Sequence, residues 1–139
     1  MKCLFFVVLL TGWLTSGCRS FEGDWKKSPA NPQSSVSGRW TGSWQNTNNT
    51  HGGTLRAVII PEGAFDYRAR FEAQWGSHTG NFSTLIRGYQ TNDTFVFRGS
   101  KRIFGIKITT AGKIDPQQFS ATYDSRFDTG IFTLKRPLP

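Results

Sequence analysis

Phe65-Asp66-Tyr67-Arg68-Ala69-Arg70-Phe71-Glu72-Ala73-Gln74-Trp75 decides the reading of this chain. Every odd position is apolar or aromatic and every even position is polar. On a pleated strand that alternation separates one dry face from one wet face, whereas a helix would scatter the same residues around its circumference. The spacing therefore predicts a half-buried β-strand. Working outward, Arg39–Asn46, Thr54–Ile60, Phe82–Tyr89, Thr94–Gly99, Gly105–Thr110, Gln118–Asp124 and Gly130–Lys135 read the same way.

Turn signals separate these runs: His51-Gly52-Gly53, Pro61-Glu62-Gly63, Gly76-Ser77-His78-Thr79-Gly80, Thr91-Asn92-Asp93, Ala111-Gly112-Lys113 and Phe127-Asp128-Thr129-Gly130. No window carries a helical stripe. Eight short strands with short connections predict an all-β, antiparallel up-and-down meander over residues 38–139. Closure into an eight-stranded barrel removes the exposed sheet edges, and a flattened β-sandwich is the alternative. Gly42, Gly88 and Gly99 fall inside strands, where glycine marks bends or close packing.

Ten rings share the inward faces: Trp40, Trp44, Tyr67, Phe71, Trp75, Phe95, Phe97, Phe119, Tyr123 and Phe132. In so narrow a barrel they either fill the core or wall a ligand cavity, and bulky rings favour filling.

The chain before residue 38 has other business. Lys2 is followed by the apolar run Cys3-Leu4-Phe5-Phe6-Val7-Val8-Leu9-Leu10 and then by small residues up to Gly17. A basic tip, a short apolar stretch and small residues read as an export signal over residues 1–17. Residues 18–37 contain Ser28-Pro29-Ala30-Asn31-Pro32-Gln33-Ser34-Ser35, where proline blocks regular structure, and this predicts a flexible linker.

Leu14-Thr15-Ser16-Gly17-Cys18 resembles the lipobox of bacterial lipoprotein precursors. The resemblance implies cleavage before Cys18, a diacylglycerol on its thiol and anchoring to the cell envelope, with the outer membrane favoured because Arg19 follows the cysteine. Cleavage without lipid, giving a soluble secreted protein, is the alternative. Cys3 leaves with the signal and Cys18 carries lipid, so no disulfide is expected in the mature chain. Gly38-Arg39-Trp40-Thr41-Gly42-Ser43-Trp44 is similar to the first strand of avidin-like and lipocalin-like barrels. That resemblance implies a pocket at the open mouth without naming its ligand. The mature domain is also similar to small β domains carried by bacterial lipoproteins.

A formal net charge of +8 favours anionic partners. The expected partners are the membrane through the lipid, and a small molecule, an anionic envelope polymer or an envelope protein. Export speaks against nucleic acid. His51 and His78 are the two histidines, without short-spaced companions, so no metal site and no cofactor are expected. No nucleophile elbow or glycine-rich phosphate loop is present. No catalytic residue is assigned, and the expected role is a non-enzymatic binding module. A filled barrel used as a platform for protein contacts is one alternative, and an enzyme using the loop histidines is another.

In a meander, alternate connections share one end. His51, His78, Lys101 and Arg102, with the segment Asp124–Asp128, should therefore share one rim, opposite the end where the linker enters. This rim is the candidate binding site, expected to point away from the membrane. Solvated loops are its ordinary alternative. On the outer face Arg56, Arg68, Arg70, Arg87 and Arg98 fall on neighbouring strands, and pairing with Asp66 and Glu72 is favoured over a stripe for an acidic polymer.

Overall fold

A computed structural model describes residues 20–30, 32, 36–103 and 105–137. The signal segment and Cys18 lie outside the described residues. Eight strands follow in order: β1 (Gly38–Asn46), β2 (Gly52–Pro61), β3 (Asp66–Trp75), β4 (His78–Thr91), β5 (Thr94–Ile103), β6 (Ile106–Ile114), β7 (Gln118–Ser125) and β8 (Thr129–Lys135). Each pairs antiparallel with the next, and β8 returns to β1 from Thr41↔Lys135 to Asn46↔Gly130, closing the barrel. The expected meander barrel is the architecture observed.

Two turn assignments are corrected. Ala111-Gly112-Lys113 lies within β6, and the connection to β7 falls after Ile114. Gly112 serves close approach rather than a turn, because a Cβ there would come within 2.2 Å of the Ser120 carbonyl on β7. Lys101 and Arg102, assigned to the fifth connection, are part of β5.

The inward faces carry the core. Trp40, Phe71, Phe95, Phe97, Phe119, Ile114 and Leu134 are all buried, and the rings touch in an edge-and-stack network in which Phe119 meets Trp40, Phe71 and Phe97. Burial of each such side chain contributes about 1.5–3 kcal/mol. The linker-entry end is stoppered as well. Val36 belongs to the core cluster, and its carbonyl accepts from the Trp40 indole at 3.0 Å. The Arg136 guanidinium lies 3.9 Å from the Trp40 ring centre and donates to the Ser37 and Arg39 carbonyls. Burial pushes its pKa down to about 10.

The expected flexible linker is corrected by a helix, α1 (Phe21–Lys27). Ser20 caps it by accepting from the Gly23 amide at 3.0 Å, acidic residues open its first turn, and Lys26 and Lys27 close its last. Seven residues would not hold a helix alone. This one is held by the barrel wall. Asp24 is buried against Arg70, Arg56 bridges Glu22 and Glu72, and the Arg39 Nε donates to the Trp25 carbonyl at 2.6 Å. The Arg56 guanidinium also sits over the rings of Phe21 and Trp25, at 5.1 and 4.7 Å. Val58 points outward by alternation yet is fully buried, between Arg39 and Arg70 in the ladder, where α1 docks. The helix runs from the level of Arg56 toward that of Arg39, so Ser20 lies beside the middle of the wall and not beyond the linker-entry end.

Candidate functional site at the distal mouth

The strand order places the connections before β2, β4, β6 and β8 at one end, as the alternation requires. His51 and His78 are both exposed on this rim. The His51 backbone amide donates to Asn49 Oδ1 at 2.7 Å, and the His78 ring leans on Trp75 with 6.0 Å between centres. Arg102 points outward and donates to the Gly105 carbonyl at 3.4 Å. Lys101 differs from these three. The register with β6 is unbroken from Phe95↔Ile114 to Ile103↔Ile106, so the alternation that turns Phe95 and Phe97 inward carries Lys101 to the same side. The structure thus brings the two histidines to the rim, sends Arg102 to the outer wall and sets Lys101 into the wall of the mouth.

Lys101 occupies a seam. The β4–β5 ladder runs from Thr91↔Thr94 to Arg87↔Arg98 and stops, so β4 from His78 to Ile86 and β5 from Gly99 to Ile103 share no ladder pair. The Lys101 ammonium reaches across and donates to the Ser83 carbonyl at 2.7 Å. Burial, and then the nearby charge of Arg68, lower its pKa.

Opposite the seam, Tyr123 faces inward from β7 and pairs with Gly130 of β8. The ring lies across that glycine, where a Cβ would come within 2.3 Å of it. Phe132 lies 5.1 Å from the Tyr123 ring, and Phe82 and Phe71 continue the wall. Trp75 and Trp44 meet edge to face, and the Trp44 indole donates to the Gln74 carbonyl. The Tyr123 hydroxyl is buried without a hydrogen-bond partner among the described residues. An unsatisfied buried hydroxyl costs about 1–3 kcal/mol. Burial first, and the Asp128 carboxylate second, push its pKa well up, so it stays a donor throughout the neutral range.

Asp128 closes the rim. Its carboxylate accepts from the buried Asn46 amide, and the Asn46 Oδ1 accepts from the Asn48 amide at 2.7 Å. Burial raises the Asp128 pKa against the opposing pull of Asn46, the Thr129 amide and His51. Thr47 and Thr129 join their hydroxyls at 2.7 Å, so the first and seventh connections are stitched together. Among the described residues no group of three histidine, cysteine or carboxylate side chains is placed to hold a metal.

The mouth is thus walled by rings and carries two donors, a phenol and an ammonium. That set suits a planar molecule with an acceptor atom at its edge. Sequence reasoning placed Tyr123 among the core rings and passed over the fate of its hydroxyl. Its opposite glycine at position 130 is the signal that could have found it, since an inward glycine facing a tyrosine leaves room for the ring to lie flat.

No protein-family model matches the chain, and no curated protein matches it either. Among solved structures it is similar to the redesigned β-barrel mFAP1 bound to DFHBI, with a TM-score of 0.55 and 13% sequence identity over 73% of this chain and 94% of that one. At that identity the likeness speaks to the fold, an eight-stranded antiparallel barrel.

Proposed function

We propose that this protein is a lipid-anchored, non-enzymatic binding module of a bacterial cell envelope that takes a small planar molecule into the distal mouth. The observation that carries the reading is the Tyr123 hydroxyl, a donor buried among rings without an acceptor among the described residues. An acceptor atom on a ligand would recover the cost of that burial, and the half-buried rings of Trp75 and Phe82 would flank the ligand. The stoppered linker-entry end leaves the opposite mouth as the way in. The similar barrel mFAP1 is described with DFHBI bound, which supports a small-molecule role for a barrel of this shape. The address rests on the lipobox ending at Cys18. Cys18 lies two residues before Ser20, so the wall covered by α1 would be the part of the barrel nearest the anchor.

Tryptophan emission tests the reading, since Trp44 and Trp75 stand at this mouth. Titration with DFHBI and a panel of planar carboxylates should give saturable quenching for at least one compound. Tyr123→Phe should weaken that compound about tenfold, the loss of one buried hydrogen bond. Trp75→Ala should weaken it further. Unchanged affinity in both variants removes the mouth from the reading.

A further inference from the structure

We propose that the outer face of β4–β6 is a second binding surface, for a linear anionic polysaccharide. The chain carries 17 basic against 9 acidic side chains, and they are not evenly spread. Five of the nine carboxylates, Glu22, Asp24, Glu62, Asp66 and Glu72, lie on α1, on β3 or in the β2–β3 connection and hold Arg56, Arg68, Arg70 and Arg87, while Asp124 on β7, opposite Thr109 of β6, stands at the edge of the proposed face. Around the barrel from there, Arg98 and Arg102 point outward from β5, and Lys107 and Lys113 from β6. All four are exposed, and none has an ion pair among the described residues.

The register sharpens the asymmetry. Arg87 stands directly opposite Arg98, and Arg102 directly opposite Lys107. Like charges in facing cross-strand positions destabilise a sheet. Asp66 tempers the first pair through Arg87, and a bound polyanion would relieve what remains of both. The six-residue step from Lys107 to Lys113 makes the column about 20 Å long at strand spacing, the shape of a chain rather than of a single small anion.

Beside the column lies an open depression of about 470 Å³, into which Val96, Ala111, Thr122 and Ile131 point. Its floor is aliphatic. It suits the C–H faces of sugar rings, and the exposed ring of Tyr89, directly opposite Val96 in the β4–β5 ladder, stands at its edge. In a closed barrel of eight strands, β6 is diametrically opposite β2, the strand beneath α1.

The test uses the full chain with Cys18→Ser, titrated with heparin, polygalacturonate, neutral dextran, duplex DNA, and vesicles of phosphatidylcholine with phosphatidylglycerol. The acidic polysaccharides should bind in a salt-dependent way, and dextran should not. Arg98→Ser with Lys107→Ser should weaken that binding about tenfold, and Lys26→Ser with Lys27→Ser, an equal loss of charge near α1, by no more than about twofold. The first pair relieves facing repulsion, so its thermal midpoint without polymer should equal or exceed the parent's, and polymer should raise the midpoint of the parent more than that of this variant. Equal weakening by both pairs overturns the proposal, as does binding to vesicles or DNA in preference to the acidic polysaccharides. Quenching at the mouth, lost with Trp75→Ala and kept with Arg98→Ser and Lys107→Ser, reports separately on the small-molecule reading.

Discussion

Asp128 is a carboxylate that folding holds above its ordinary pKa of 3.8, because burial outweighs the hydrogen bonds from Asn46 and Thr129 and the charge of His51. A carboxyl with a raised folded pKa binds more protons in the native chain than in the unfolded one. Stability therefore falls as pH rises from the ordinary value through the folded one, and the cost is fully present at neutral pH. Asp128→Asn keeps an acceptor for the Asn46 amide and removes the charge. Urea unfolding should show the variant equal to or more stable than the parent near neutral pH, with solvent access keeping the gain under about 1 kcal/mol. Below the ordinary value of 3.8 the gain should vanish, because both states of the parent are then protonated. A loss of stability at neutral pH would show that the negative charge itself holds the rim. Much of the rim could be read from the chain. The parity of the strands put His51 and His78 at one end. It could not show that Lys101 would bridge a seam or that the Tyr123 hydroxyl would find no acceptor among the described residues, since both depend on what the neighbouring strand offers in space.

At the scale of the element, α1 teaches most. The eight strands were legible because alternation is repeated several times in each and turn residues punctuate them. The helix was not, because seven residues with a glycine among them carry no visible period. It docks on the wall where Val58 is buried, although alternation assigns that residue to water. Carboxylates also misled. The arginines of the outer wall were expected to pair across strands, as Arg56 does with Glu72 and Arg87 with Asp66, but Arg70 finds Asp24 on the helix. Asp24→Ala should cost about 2 kcal/mol, less than the roughly 3–5 kcal/mol of a fully buried pair because Arg70 keeps some solvent. It should also raise the exchange rates of the α1 amides and of Val58 while leaving those of β6 and β7 unchanged. Uniform change across the barrel would mean that helix and sheet unfold as one unit.

The whole molecule is a ring of nearest-neighbour strands with a short helix leading in along its flank. On the proposed anchoring, Cys18→Ser should move the product from the membrane fraction to the soluble fraction of the envelope, with the barrel folded as before by circular dichroism. Retention in the membrane fraction would mean that something other than hydrocarbon on a thiol holds it. The sequence made the meander readable because each strand pairs with its successor, while the closure of β8 on β1, rather than a flattened sandwich, is seen in the β1–β8 ladder. The uneven strength of the ring could not be read in that way. One joint, between β4 and β5, is zipped over half its length, and beyond the ladder the Lys101 ammonium reaches across to the Ser83 carbonyl. A latch of this kind makes the barrel wall a place where a foreign extended segment can add itself, edge to edge, whenever the lysine lets go. Deprotonation, acetylation or loss of that one side chain would then turn a sealed barrel into a template for strand exchange between copies.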